Sequence, residues 1–268
     1  FWFFGGSTTY GTGVSWEDTL PSQFVKEAEK KSLCFKAINF GIPYHHSFQE
    51  SIHLALELAK SERAKPDYAI FIDGLNDFLQ VRSTLRKEPF FTPMLSSLMG
   101  ADSVGPLHKL NKSIIEINLA LVDYLQFKLL GKTPYISNYQ KPKGLNTDEL
   151  AIEISNNMIN SHDFISKICN VYSIKCYQFL QPVPVIHYTK NYNETLTGGV
   201  SQSRKTLFSL GYNNVLSQSK VNPKDGLFVN DASKVFENYK NGIPYVDSFH
   251  YSPRANKYFA RHILNVIE

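Results

Sequence analysis

Apolar and polar positions alternate along the chain in two periods. Short, continuously apolar runs that stop at glycine or proline read as strands buried on both faces. Longer stretches with apolar residues three and four apart read as helices. Phe1 to Phe4 is a run of the first kind and stops at Gly5-Gly6. A helix follows over roughly Glu17 to Lys31, then a second strand from Leu33 to Phe40, ending at Gly41. Ser47-Phe48-Gln49-Glu50 has the pattern of a capping box, with Ser as the N-cap and Glu three residues on. The helix it opens carries Phe48, Ile52, Ala55, Leu56 and Ala59 on one face. Asp67 to Asp73 contains Tyr-Ala-Ile-Phe-Ile, a third buried strand, and ends at Gly74.

Beyond Leu79 the pattern loosens. Leu79 to Pro106 is rich in turn and charged residues. Leu107 to Leu130 and Thr147 to Tyr172 read as helices, joined by a loop holding Gly131, Pro134, Pro142 and Gly144. Ile174 to Leu180 is a fourth strand, closed by Pro182 and Pro184, and Asn191 to Gly199 is a polar loop. Gln202 to Ser217 reads as a helix interrupted at Gly211-Tyr212-Asn213-Asn214, and Tyr245-Val246 as a short last strand. Ser252-Pro253 opens a final helix, since proline suits the first helical position; it buries Ala255, Phe259, Ile263 and Val266. Strands alternating with helices predict a three-layer α/β/α sandwich around a mostly parallel sheet. One domain is expected over 1–268, with a helical or irregular insertion at about 79–145 and a long loop at about 182–200.

Composition supports a packed core: 268 residues, 43% apolar and 13% aromatic. The net charge of +4 is scattered, and no basic run predicts nucleic-acid binding. An anionic substrate is permitted, not implied. No run of 18 apolar residues is present, so no transmembrane helix is expected in this chain. The sequence opens inside a strand without an initiator Met, so an export signal or anchor ahead of Phe1 is an open expectation. The three cysteines, Cys34, Cys169 and Cys176, lack a CxxC pair and predict no zinc site. They are expected as unpaired thiols, with a Cys169–Cys176 bridge in an exported protein as the alternative.

Three successive strands end in a glycine beside a polar residue: Gly5-Gly6-Ser7, Asn39-Phe40-Gly41 and Gly74-Leu75-Asn76-Asp77. In an open parallel sheet the carboxyl ends of the strands share one edge, where ligands bind. Ser7, Gly41 and Asn76 are therefore expected to converge. A serine at such a turn suits acyl transfer, its hydroxyl attacking a carbonyl while nearby N–H groups hold the oxyanion. It needs a base, and Asp247-Ser248-Phe249-His250 offers one. A three-residue offset lets the carboxylate bond one imidazole nitrogen and aim the other at the serine.

These residues resemble the SGNH/GDSL hydrolase family. Gly5-Gly6-Ser7-Thr8-Thr9-Tyr10-Gly11 is similar to its first block, Gly41 to the glycine of the second, Gly74-Leu75-Asn76-Asp77 to the third (Gly-x-Asn-Asp), and Asp247-Ser248-Phe249-His250 to the fifth (Asp-x-x-His). Gly6 stands where the first block usually has Asp. The resemblance covers roughly residues 1–80 and 240–268. It implies a flavodoxin-like sandwich and a serine esterase that works without a cofactor or metal. Ser7 would be the nucleophile, His250 the base and Asp247 its partner, with Ser7, Gly41 and Asn76 as oxyanion donors. The polar, Asn- and Tyr-rich character of the chain points to an acyl group, O-acetyl first, on a carbohydrate or related small substrate. An O-acyltransferase, a lipid acylhydrolase or a catalytically silent binding domain on the same fold are the alternatives. Compartment and oligomeric state are not legible.

Other readings of these residues are weaker. The glycine-rich opening lacks the lysine of a P-loop. His45, His46 and His53 lack an HExxH or cysteine context for a metal; His45 and His46 follow the oxyanion glycine and are candidate substrate contacts. Asp73 and Asp77 read as turn and cap carboxylates rather than acid catalysts. His108, His162, His187 and His262 are expected to be structural. Tyr139, Tyr188 and Tyr192 are possible sugar-lining residues.

Overall fold

The computed structural model describes residues 1–81, 145–187, 201–221 and 229–268. Five parallel strands form one sheet: β1 (Trp2–Gly5), β2 (Ile38–Asn39), β3 (Tyr68–Asp73), β4 (Lys175–Leu180) and β5 (Val229–Asp231). Their order is β2-β1-β3-β4-β5. Helices α1 (Ser7–Tyr10), α2 (Leu20–Glu29), α3 (Ser47–Leu58), α4 (Leu75–Leu79), α5 (Thr147–Val171), α6 (Gln202–Val221) and α7 (Pro253–Ile267) connect or follow them. This is the expected α/β/α sandwich.

The period of two along each strand builds the layers. Trp2, Phe4, Ala69 and Phe71 face a cluster with Leu54 and Leu58 of α3 and Ile165 of α5. Phe3, Ile70 and Ile72 face the opposite way, onto Phe24 and Ala28 of α2 and Phe259 and Ile263 of α7. A third cluster joins Leu75 and Phe78 of α4 to Leu150, Ile154 and Met158 of α5 and Phe208 of α6. Burying each large apolar side chain contributes about 1.5–3 kcal/mol, so both faces of the sheet are heavily stabilised.

Several elements differ from the sequence reading. Only Ile38–Asn39 of the expected strand 33–40 pairs with β1, so β2 is a short edge. Tyr245-Val246 is no strand; Tyr245 forms an isolated antiparallel bridge with Tyr251. The fifth strand is Val229–Asp231, too short to carry a pattern. Helix α6 runs through Gly211 without a break. A Cβ there would lie 2.0 Å from the Phe78 ring, so this glycine admits a close helix contact rather than ending the helix. The N-cap of α3 is His46, not Ser47, with Gln49 Oε1 accepting from His46 N–H. Its buried face is Glu50, Ser51, Leu54 and Leu58, while Leu56 is exposed. Helix α3 packs on α5 through partly polar residues, so the apolar count pointed to the wrong face. Val266 likewise stays partly exposed at the end of α7.

Cys169 and Cys176 form a disulfide linking the end of α5 to β4, and Cys34 is a free, exposed thiol. The expectation of unpaired thiols is thereby corrected. A seven-residue separation could not reveal that a helix–strand turn closes it to 6.2 Å between Cα atoms. Most of the expected insertion, residues 82–144, and residues 188–200 of the expected loop lie outside the described residues, as do His108, Tyr139, Tyr188 and Tyr192.

Candidate active site

The strand order reverses at β1: the chain passes from β1 to β2 on one side and then to β3 on the other. Ligands bind at such a switch point in open α/β sheets. Ser7 follows β1 there and is the first residue of α1, where its backbone N–H has no acceptor within the helix. Asn76 follows β3 as the second residue of α4.

His250 reaches the same rim from the other end of the chain. The loop carrying it is closed at its neck by Val246 N–H donating to His250 O (2.8 Å) and Ser252 N–H to Pro244 O (2.7 Å). Tyr251 anchors it, its hydroxyl donating to Pro182 O at 2.9 Å. Ser252 caps α7, accepting from Ala255 N–H. The loop is therefore held from the end of β4 and from the final helix. His250 Nε2 lies 2.8 Å from Ser7 Oγ, and His250 Nδ1 lies 2.6 Å from Asp247 Oδ2. The other carboxylate oxygen, Oδ1, accepts from the N–H groups of Phe249 and His250, both at 2.9 Å. Burial pushes the Asp247 pKa up, but the imidazole and the two backbone N–H groups outweigh it and hold the carboxyl below its ordinary range.

The expected oxyanion donors come together with a difference. Gly41 packs directly against α1: a Cβ on it would lie 2.3 Å from Tyr10 N. Its N–H, however, donates to Asn39 Oδ1 at 2.9 Å. The Asn39 amide in turn donates to the carbonyls of Thr9 and Tyr10. Asn39 thus ties the Gly41 loop to the Ser7 helix, a role that sequence reading did not assign. Its place two residues before Gly41 was the available signal. Asn76 Nδ2 donates to His45 O at 2.6 Å, and its amide lies where a Cβ on residue 6 would come within 2.2 Å. A side chain at Gly6, where the first block usually has Asp, would collide with Asn76 as it stands.

His45 and His46 were candidate substrate contacts. Their side chains are both buried, and His46, at 0% exposure, offers a substrate no surface. Burial, helped by the neighbouring imidazoles His53 and His46, pushes His45 down to about 4, so it is neutral at pH 7. Its carbonyl, rather than its ring, meets Asn76. Asp77 lies fully buried beneath. Its Oδ1 accepts from Ser47 N–H (3.3 Å) and Ser47 Oγ–H (2.6 Å), and its Oδ2 from Gly74 N–H (3.2 Å). This carboxyl ties the start of α3 to the start of α4 and so steadies Asn76. Gly74 has φ of 116°, a conformation that favours glycine, and a Cβ would meet the Tyr212 hydroxyl at 2.6 Å. Asp73 Oδ2 lies 2.9 Å from His162 Nε2. Both aspartates therefore serve as turn and pairing carboxylates.

No protein-family model matches the sequence, and no curated protein is similar to it by sequence. Solved structures are similar in shape. A member of the lipolytic protein G-D-S-L family from Veillonella parvula matches with a TM-score of 0.53 and 11% identity, over 99% of this chain and 96% of that one. The psychrotrophic esterase EstA from Pseudoalteromonas, in a structure inhibited by monoethylphosphonate, matches with a TM-score of 0.52 and 11% identity, over 99% and 94%. The chain has the SGNH/GDSL hydrolase fold. At 11% identity the likeness is one of architecture, reached with a largely different sequence. Within that SGNH/GDSL frame, the contacts described above are this chain's own.

Proposed function

We propose that the protein is a serine ester hydrolase that removes acyl groups, O-acetyl foremost, from a carbohydrate or related small substrate. The observation that carries this reading is the unbroken run of contacts from Ser7 Oγ through His250 to Asp247. In the proposed reaction Ser7 Oγ attacks the ester carbonyl while His250 Nε2 takes its proton. The alcohol then leaves with that proton, and a water activated by the same imidazole frees the acid and restores Ser7. Asp247 holds the ring and stabilises the imidazolium. Ser7 N–H and the second N–H of Asn76 stabilise the oxyanion; Gly41 N–H joins them on turning away from Asn39. A carbohydrate alcohol is favoured by two exposed tyrosines, Tyr10 (55%) at the end of the Ser7 helix and Tyr44 (52%) in the Gly41 loop, whose ring faces suit sugar rings.

The test is a series of p-nitrophenyl esters of increasing acyl length, run beside acetylated oligosaccharides. Acetyl esters should turn over fastest, and Ser7→Ala should reduce their kcat by roughly 10³-fold or more. Unchanged turnover in that variant would end the proposal. An optimum at long acyl chains would replace the carbohydrate substrate with a lipid one.

A further inference from the structure

Away from the sheet rim, the outer face of α7 borders a hollow of about 240 Å³. Its lining is Arg254, Lys257, Tyr258 and Arg261 of α7, with Asn241 from the segment before the His250 loop. Every one of these side chains carries a hydrogen-bond donor, and none is acidic. Positions 254, 257, 258 and 261 share one side of a helix. A stripe of cations on a helix is usually no more than a solvated face. Here two features set it apart.

The first is concavity with part of its wall held in place. The Tyr258 ring sits edge-on to Tyr239, 5.4 Å between centroids, and near Phe236, so it is held in place rather than loose in solvent. Arg261 is also held: its Nε donates to Glu27 Oε2 at 2.5 Å, which leaves the two terminal nitrogens of the guanidinium. The second is a charge surplus. Glu27, almost fully buried on α2, is the carboxylate behind the hollow. It already pairs with Lys30 and Arg261, and it stands 3.9 Å from Lys257. Glu27 meets two of the lining cations, Lys257 and Arg261, as well as Lys30, so one carboxylate answers three cations and positive charge is in surplus at the hollow.

We propose that this hollow is a binding site for a phosphate-type dianion, either inorganic phosphate, a phosphorylated small molecule or the phosphomonoester headgroup of a lipid. Two guanidinium groups match the planar edges of a phosphate, the lysine adds a point charge, and the Tyr258 hydroxyl and Asn241 amide supply neutral donors. A dianion balances the surplus better than a monoanion. The site is separate from the Ser7 machinery and does not depend on the esterase reading.

The experiment is calorimetric titration of the full chain with inorganic phosphate at constant ionic strength, chloride making up the difference. A parallel sedimentation assay uses phosphatidylcholine vesicles with and without phosphatidic acid. The variant is Arg254→Gln with Lys257→Gln, which spares the Arg261–Glu27 pair and the fold. Saturable phosphate binding is expected, weakened about tenfold or more in the variant, because each lost charged hydrogen bond costs at least a substantial part of that factor. The urea unfolding midpoint should be the same in both proteins, which shows that the variant is folded. Retention on phosphatidic acid vesicles alone, lost in the variant, would assign the lipid source; phosphate binding without retention would assign a soluble one. Absence of saturable binding in both assays, or equal binding by the variant, would overturn the proposal.

Discussion

The rim of the site and the layer just beneath it use the same residue types to opposite ends. At the rim, Asp247 keeps 49% of its side chain exposed and accepts three hydrogen bonds, and its pKa falls. Beneath, Glu50 and Asp77 are wholly buried beside Asp73, and their pKa values rise. For Glu50 burial comes first, and the neighbouring charges of Asp73 and Asp77 push the same way. For Asp77 burial and Asp73 outweigh His46, Ser47 and His162, which act in the other direction. A carboxyl is therefore charged or neutral according to how its lost hydration is replaced, not according to its sequence neighbours. The upper region holds reacting atoms; the lower one holds the backbone that carries them.

The contrast can be broken in four places. Asp247→Asn should have the largest effect: the imidazole loses the carboxylate that fixes its tautomer, and kcat should fall about 10⁴-fold with only a small fall in the urea midpoint, since the carboxylate is half exposed. A matching loss of stability would mean that the rim is structural as well. Asn76→Ala should cost roughly 10²–10³ in kcat with a smaller change in KM; a change confined to KM would remove Asn76 from the oxyanion role. Asp77→Ala should act mainly on stability, by about 2–4 kcal/mol in equilibrium urea unfolding. It leaves the Ser47 and Gly74 donors buried without their acceptor. If instead kcat fell while stability held, the division between the two layers would be wrong.

The smallest effect is the sharpest in sign. Glu50 has its folded-state pKa raised, so the folded protein binds that proton more tightly than the unfolded chain. Its contribution to stability is fully present below the ordinary carboxylate value and is lost as pH climbs from there toward the raised value. Asp247 runs the other way: its contribution is present above the ordinary value and lost as pH falls through the lowered one. Glu50→Gln should therefore flatten the loss of stability between mildly acidic and neutral pH, seen as a urea midpoint that no longer drifts downward. A steeper drift in the variant would show that Glu50 is charged when buried.

The readable parts of this chain were those in which one physical signal dominates. Trp2–Gly5 and Tyr68–Asp73 are central strands covered on both faces, and continuous apolarity marks them; Lys175–Leu180, between β3 and β5, was legible from the apolar residues around Gln178 and the prolines that follow. The ends of β1 and β3 place Ser7 and Asn76 on the same rim of a parallel sheet; the strand order makes them neighbours. The weaker edges did not show: β5 is three residues long and β2 two. Helix α3 was legible as a helix but not as to its buried side, because Glu50 and Ser51 face inward with a polar layer that no hydropathy pattern records. Asn39 escaped for the same reason, and so did the reach of Asp77, read as a cap carboxylate, across to Ser47. Their partners, Gly41 and the Thr9 carbonyl for one and Ser47 for the other, are set by how loops meet.

Local sequence alone determined the strand–helix alternation and the turn glycines, and it put Asp247 three residues before His250, since each depends on neighbours within a few positions. Only the tertiary structure decided that His250 stands 2.8 Å from a serine 243 residues away, that Gly41 gives its N–H to Asn39, and that three carboxyls share a buried layer. These are long-range distances and solvation states. They follow from which faces the packed layers exclude from water, a property of the assembled molecule that no short stretch of chain contains.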